Sequence, residues 1–221
     1  MKLPRAKRTY VPGGIWHLTH RCHNREFLLK FERDRQRWCR LLFEAQKRYH
    51  LLVLNYIVTS NHIHLLVKDS KAGAIARSMQ FVSGRLAQEY NRRKSRKGAF
   101  WEDRYFATAI YTDHYFIKCL VYIDMNMVRA AAVDHPAAWK ASGYREIQFP
   151  RNRYRILDID SLCALTESAS ESVFRSNHRT WVEHALTQGG NMRQPKWTEA
   201  KAVGPEHFTC QFDTRKERSK R

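Results

Sequence analysis

Two pairs of side chains have the types and spacing to do chemistry: His62 with His64, and Tyr122 with Asn126. The histidines open the second of two short apolar runs, which the turn Thr59-Ser60-Asn61 joins. Successive strand side chains point to opposite faces, so the two imidazoles share a face while Ile63 turns into a core. Neighbouring imidazoles on a rigid strand make a platform for a divalent cation, although a bare His-x-His also fits an ordinary exposed strand. Residues four apart on a helix are neighbours, which sets the Tyr122 phenol beside the Asn126 carboxamide. Asn126 can offer its carbonyl oxygen as a third ligand, leaving positions open for a phosphate whose phosphorus Tyr122 can attack. A phenol of pKa about 10 is mostly protonated at neutral pH. A nearby divalent cation polarises the phosphoryl oxygen and stabilises the developing charge. The product is a phosphotyrosine and a free 3′-OH, which conserves the bond energy for rejoining. The imidazole and oxygen donors suit Mg²⁺ or Mn²⁺, and the nitrogen ligands leave Zn²⁺ open.

Regular elements must position these groups. Ile15 to Arg21 reads as a first strand after the turn residues Tyr10-Val11-Pro12-Gly13-Gly14. Asp34 to Tyr49 is an amphipathic helix with Trp38, Leu41, Leu42, Ala45 and Tyr49 at helical spacing. The hairpin 51–59 and 62–68 follows, then a helix from Gly73 to Arg92 with Ile75, Met79, Val82, Leu86 and Tyr90 on one face. Ala99 to Tyr111 supplies a fourth strand. The order predicts an α+β fold of split β-α-β-β-α-β type, an antiparallel ferredoxin-like sheet with helices on one face. A third helix, capped by Thr112 or Asp113 and running to about Arg129, carries Tyr122 and Asn126 beside a buried stripe of Phe116, Leu120, Ile123 and Met127. Pro136 cannot continue it. Gly143 to Arg155 reads as a linker with Arg151, Arg153 and Arg155 alternating. Beyond it come helical segments at 158–166 and 174–186, a break at Gln188-Gly189-Gly190, and a stretch from Trp197 to Gly204. The predicted division is 1–148 for the site-bearing domain and 149–221 for a linker and mainly helical extension.

Among 221 residues, 40 Lys and Arg oppose 21 Asp and Glu, a formal charge of +19, and 12% are aromatic. A folded chain with so positive a field attracts phosphate backbones or anionic membrane surfaces. The run Leu51 to Val58, broken by Asn55, falls far short of the roughly 20 residues of a spanning helix, and the N-terminus lacks the apolar stretch of a signal peptide. Nucleic acid in the cytoplasm is therefore the expected partner, with no membrane. Five scattered cysteines without a Cys-x-x-Cys pair argue for reduced thiols. His17, His20 and His23 read as hydrogen-bonded strand and loop histidines. Residues 1 to 9 read as a basic arm, and the last ten residues are expected to be a frayed polar end. Arg92, Arg93, Lys94, Arg96 and Lys97 make the densest charge cluster, just ahead of Phe100-Trp101-Glu102-Asp103-Arg104-Tyr105-Phe106. Cations for a backbone next to rings for unpaired bases suit single-stranded nucleic acid. Trp101, Arg104 and, at the end of the tyrosine helix, Arg129 join the cluster as candidate contacts; Phe100 and Trp101 also fit a core.

The chain resembles the single-tyrosine HUH transposases, and within them the REP-associated tyrosine transposases. The matching stretches are Tyr10-Val-Pro-Gly-Gly-Ile-Trp-His-Leu-Thr19, Ser60-Asn-His-Ile-His-Leu-Leu-Val67, Phe100-Trp-Glu-Asp-Arg-Tyr105 and Tyr122-Ile-Asp-Met-Asn-Met-Val-Arg-Ala130. The resemblance implies that His62 and His64 are metal ligands, Asn126 the third ligand and Tyr122 the nucleophile. It implies a bacterial, nucleoid-associated enzyme that cuts single-stranded DNA at or beside a REP-like hairpin and leaves a 5′-phosphotyrosine link. One departure is Met127, which stands where family members usually carry proline after the asparagine. Tyr111 and Tyr115 are competing nucleophiles. The alternatives are a catalytically inactive DNA-binding protein or repressor on the same fold, and a zinc hydrolase using a further ligand such as Glu102 or Asp103. The sequence leaves open whether the tyrosine helix serves its own subunit or the partner in a homodimer.

Overall fold

The structure is a computed structural model that describes residues 10–188 and 192–213. The basic arm 1–9, Gly189-Gly190 of the expected chain break and residues 214–221 of the polar end lie outside the described residues.

Strands β1 (Ile15–Arg21), β2 (Leu52–Val58), β3 (His62–Lys68) and β4 (Phe106–Ile110) form a sheet in the order β2-β3-β1-β4, every neighbouring pair antiparallel. Helices α1 (Glu32–Tyr49) and α2 (Ala74–Arg93) supply the crossovers, and the predicted split β-α-β-β-α-β arrangement is present. Register settles which residues share a face. Thr19 pairs with His64, Arg21 with His62 and His17 with Leu66, and across β4 Thr108 pairs with His17 and Phe106 with Thr19. The odd-numbered residues of β1 therefore stand with the even-numbered residues of β3. Leu18, Ile63, Leu65 and Val67 project the other way and are fully buried. Trp38 of α1 meets Tyr56 of β2 on that face at 6.3 Å between ring centres.

The site-bearing face is covered by α3 (His114–Asp124) and its continuation α4 (Asn126–Arg129). The third helix predicted as continuous is thus divided at Met125 (φ −72°, ψ −1°). The Arg129 amide still bonds the Met125 carbonyl at 2.9 Å, so the chain keeps its helical path. Asp113 stands at the N-cap with φ 72° and makes no side-chain cap bond; it faces the His114 ring instead.

Two further expectations are corrected. The fourth strand begins at Phe106, not Ala99. Trp101 makes one isolated bridge to Cys22, and Asp103 turns its carboxylate onto the Arg104 amide at 2.6 Å, a local bond that competes with a strand ladder. Gly143–Gln148 is a helix, α5, not linker. Ser142 caps it, and a Cβ on Gly143 would sit 2.0 Å from Asn55 Oδ1, so only glycine allows this close approach.

The C-terminal part packs against the same sheet. Helices α6 (Ile159–Leu165), α7 (Glu171–Thr187) and α8 (Lys196–Glu199) contribute Leu162, Phe174 and Trp197 to the core that contains Leu18 and Phe116. Residues Ala202–Val203 add β5, parallel to β4, so the sheet is not wholly antiparallel. A fully buried polar chain ties α7 to the tyrosine helix. His178 Nε2 meets Asp124 Oδ2 at 2.8 Å, and Asn55 donates to Asp124 Oδ1 at 3.0 Å. Such groups are tolerated inside a protein only when each is satisfied. The cysteines are free, and among the described residues no helix is long and apolar enough to cross a membrane.

Candidate active site

A cleft of about 650 Å³ opens where β1 and β3 meet the tyrosine helix, and its lining includes His62, His64, Tyr122 and Asn126. His64, from the middle of the sheet, is buried, with its Nε2 2.9 Å from the Asn126 amide nitrogen. The His62 and His64 rings lie 5.0 Å apart at 83°, and the Tyr122 ring is 6.1 Å from His64. The tyrosine helix thus packs over the histidine pair of its own chain. Tyr111 and Tyr115 do not line the cleft; they belong to an aromatic group with His114, His207 and Phe208.

Hydrogen bonds fix how the histidines present their nitrogens. His62 Nδ1 faces Asn61 Oδ1 at 2.8 Å and Thr59 Oγ1 at 3.0 Å, and the Thr59 hydroxyl itself donates to the His62 carbonyl. Acceptors around Nδ1 place the proton there and leave the Nε2 lone pair free. Burial depresses all three histidines of this face: His62 and His17 fall from the ordinary 6.5 to about 4, and His64 goes well below its usual value. They are neutral at physiological pH, the state a metal ligand requires.

A stability prediction follows for the metal-free protein. The unfolded chain binds protons on these histidines below about pH 6.5 while the folded chain does not, so stability is complete above 6.5 and is lost as pH falls toward 4. The loss amounts to on the order of 3 kcal/mol for each of His17 and His62. Thermal melts between pH 7 and 5, where carboxylates stay ionised, are expected to show a falling midpoint; a flat profile would contradict it.

Arginines share the cleft with the phenol. Arg129 stacks over the Tyr122 ring at 3.9 Å, and Arg21, Arg104 and Arg193 also line the cleft. Burial raises the Tyr122 pKa, while Arg129 and Arg193 oppose that rise by stabilising the phenolate. Arg129 Nη2 is buried without a hydrogen-bond partner among the described residues. Glu102, Asp103 and Glu199 line the same cleft. Among the described residues no group of three or more His, Cys, Asp or Glu is placed to hold a metal ion, and the third donor beside the histidine pair is the Asn126 amide.

Of the expected nucleic-acid contacts, Arg104 and Arg129 lie in the cleft, and Arg92, Arg93, Lys94, Arg96 and Lys97 do not line it. Arg93 pairs with Asp34, and Arg96 lies 3.7 Å from Glu26. Trp101 stacks on His20 at 4.0 Å and donates to the Ser83 carbonyl, so one face of its ring is already covered. His17 is the hydrogen-bonded strand histidine expected from the sequence, but its partner is His64 at 2.9 Å, inside the site, where Arg21, Arg193 and Trp197 were not expected either. For His17 a signal existed: strand alternation places it with Thr19, on the same sheet face as His62 and His64 once β1 and β3 are paired.

Residues 11–126 match the family model "Transposase IS200 like", more than half of the chain. No curated protein matches. Among solved structures, the fold is similar to a REP-associated tyrosine transposase bound to a REP hairpin, with a TM-score of 0.52 and 18% identity, over 70% of this chain and 90% of that one. A candidate transposase from Deinococcus radiodurans R1 aligns with a TM-score of 0.39 and 17% identity, over 55% of this chain and 96% of that one. The chain belongs to the IS200-like transposase family, on the fold of a REP-associated tyrosine transposase.

Proposed function

We propose that this chain is a metal-dependent, single-stranded DNA endonuclease and strand transferase that cuts at or beside a REP-like hairpin through a 5′-phosphotyrosine link to Tyr122. The observation that carries the reading is the convergence of His62, His64, Tyr122 and Asn126 on one arginine-lined cleft. Family membership supports strand transfer, and the hairpin carried by the solved relative supports the substrate class.

The donors fit a divalent cation such as Mg²⁺ or Mn²⁺. His62 and His64 keep their lone pairs on Nε2, that of His64 toward Asn126, and a half-turn of the Asn126 amide replaces its nitrogen by an oxygen ligand. A bound ion there polarises a phosphoryl oxygen and offsets the charge that develops on it. The chain itself does the rest. Arg21, Arg104, Arg129 and Arg193 draw in and orient the scissile phosphate. The Tyr122 oxygen attacks phosphorus as the bond to the 3′ oxygen breaks, the phenol proton passes to solvent, and the departing 3′ oxygen takes up a proton. Attack by a 3′-OH on the phosphotyrosine reverses the sequence and rejoins DNA. One copy of the chain brings all four groups to the same cleft.

Arg129 is assigned to the transition state, because its guanidinium lies 3.9 Å over the ring of the nucleophile and its Nη2 has no hydrogen-bond partner among the described residues. Arg129→Gln is expected to lower cleavage about 10²-fold, the scale of losing one donor to a developing oxyanion, with hairpin binding weakened far less. Single-turnover cleavage and a gel-shift titration check it; equal losses in both would make Arg129 a binding residue only. The function itself is tested by incubating the protein with a labelled single-stranded hairpin and Mn²⁺. A denaturant-resistant protein–DNA band that chelator abolishes supports the reading. Tight hairpin binding without such a band would identify a passive DNA binder.

A further inference from the structure

We propose that His17 is a positioning residue: oriented by the backbone carbonyl of Trp197, it holds His64 in the tautomer whose Nε2 lone pair faces the cleft. The inference rests on the reading of His64 as a metal ligand and extends it to Trp197, which lies outside the family-matched segment 11–126.

Two hydrogen bonds fix the tautomers. His17 Nδ1 lies 2.8 Å from the Trp197 carbonyl oxygen. A carbonyl only accepts, so Nδ1 carries the proton and the neutral ring keeps its lone pair on Nε2. That Nε2 is 2.9 Å from His64 Nδ1. With a lone pair on one side, the proton of this bond belongs to His64 Nδ1, and the remaining lone pair of His64 is on Nε2, toward Asn126 and the cleft. Both rings are almost wholly buried, so water cannot substitute for either partner. They lie nearly parallel, 5.0 Å apart.

The origin of the relay is itself held in place. Trp197 is buried at 1% exposure, and its indole nitrogen donates to Gln194 Oε1 at 2.9 Å. The Thr108 hydroxyl bridges toward the carbonyls of Ala200, at 2.8 Å, and Trp197, at 3.3 Å. The Trp197 ring rests 5.9 Å from that of Tyr122. The C-terminal segment therefore sets the ligand state of a histidine far earlier in the chain. His62 reaches the same tautomer independently through Asn61. Partners beyond the ligands commonly fix imidazole orientation in metal sites, and their loss costs about 10–100-fold in affinity.

The test uses the full chain. Imidazole ¹⁵N shifts of the metal-free protein at neutral pH report which nitrogen carries the proton. The expected result is His64 protonated on Nδ1 in the wild type and in His17→Gln, whose side-chain oxygen can accept in place of the ring Nε2. In His17→Leu that form is no longer enforced. Mn²⁺ titrations followed by electron paramagnetic resonance are expected to show affinity about 10–100-fold weaker for His17→Leu and largely restored in His17→Gln. Metal-free binding of a hairpin oligonucleotide verifies that each variant is folded. Wild-type His64 protonated on Nε2, or a folded His17→Leu with wild-type Mn²⁺ affinity, overturns the inference. A wild type that fails to bind Mn²⁺ while showing the Nδ1-protonated His64 would overturn the metal reading instead, so the two failures are distinguishable.

Discussion

Tyr122→Phe is expected to cut strand cleavage and covalent adduct formation at least about 10³-fold, the scale of removing a nucleophile that no neighbour replaces, with hairpin affinity unchanged. The substitution removes one oxygen and keeps the ring. Arg129 retains its stacking partner, and the Trp197 and His17 rings keep their edge and tilted contacts. Tyr122 is 8% exposed, so little surface changes. Tyr111 and Tyr115 sit in a separate aromatic group and cannot substitute without moving the helix. Denaturing gels with a labelled hairpin separate loss of chemistry from loss of binding. An adduct persisting at wild-type yield would move the nucleophile elsewhere.

His62→Ala and His64→Ala are both expected to remove metal-dependent cleavage by about 10²-fold or more, since a direct ligand should matter at least as much as the groups that support it. Their stability effects should differ. His62 is half-buried at the start of its strand, bonded to turn residues, and its loss is tolerated. His64 is buried between His17 and Asn126, so its removal strands a partner on each side and costs about 1–3 kcal/mol per unsatisfied group. His62→Ala is therefore the cleaner probe: wild-type melting with little cleavage at saturating Mn²⁺. Wild-type cleavage by folded His62→Ala would remove the histidine pair from the chemistry.

Much of this arrangement was legible in the chain because it rests on short-range periodicity. Period two sets His62 and His64 on one face, and period 3.6 sets Tyr122 beside Asn126. The alternation of strands and amphipathic helices then leaves few topologies, among them the split arrangement observed. What was not legible depends on which distant segments become neighbours. His17 sits on the expected strand face, but its meeting with His64 requires the β1–β3 pairing, and its bond to Trp197 spans 180 residues. The stretch at 99–105 reads as a strand by its aromatics, yet consecutive charges at Glu102-Asp103-Arg104 bend it out of the ladder. Gly143 looks like a linker residue because glycine usually breaks helices; here it clears space for Asn55. The basic loop 92–98 illustrates the limit of charge patterning, since Arg93 and Arg96 are partly taken up by Asp34 and Glu26.

In the proposed reaction the Tyr122 phenol attacks DNA within reach of the His62/His64 pair. Digesting the protein–DNA adduct with nuclease and protease, and locating the residual nucleotide by tandem mass spectrometry, addresses it most directly. The expected result is a 5′-phosphodeoxynucleotide on the peptide containing Tyr122, formed with Mn²⁺ and absent from His62→Ala. A nucleotide on Tyr111, Tyr115 or any other residue, or one formed equally well without the histidine, would contradict it.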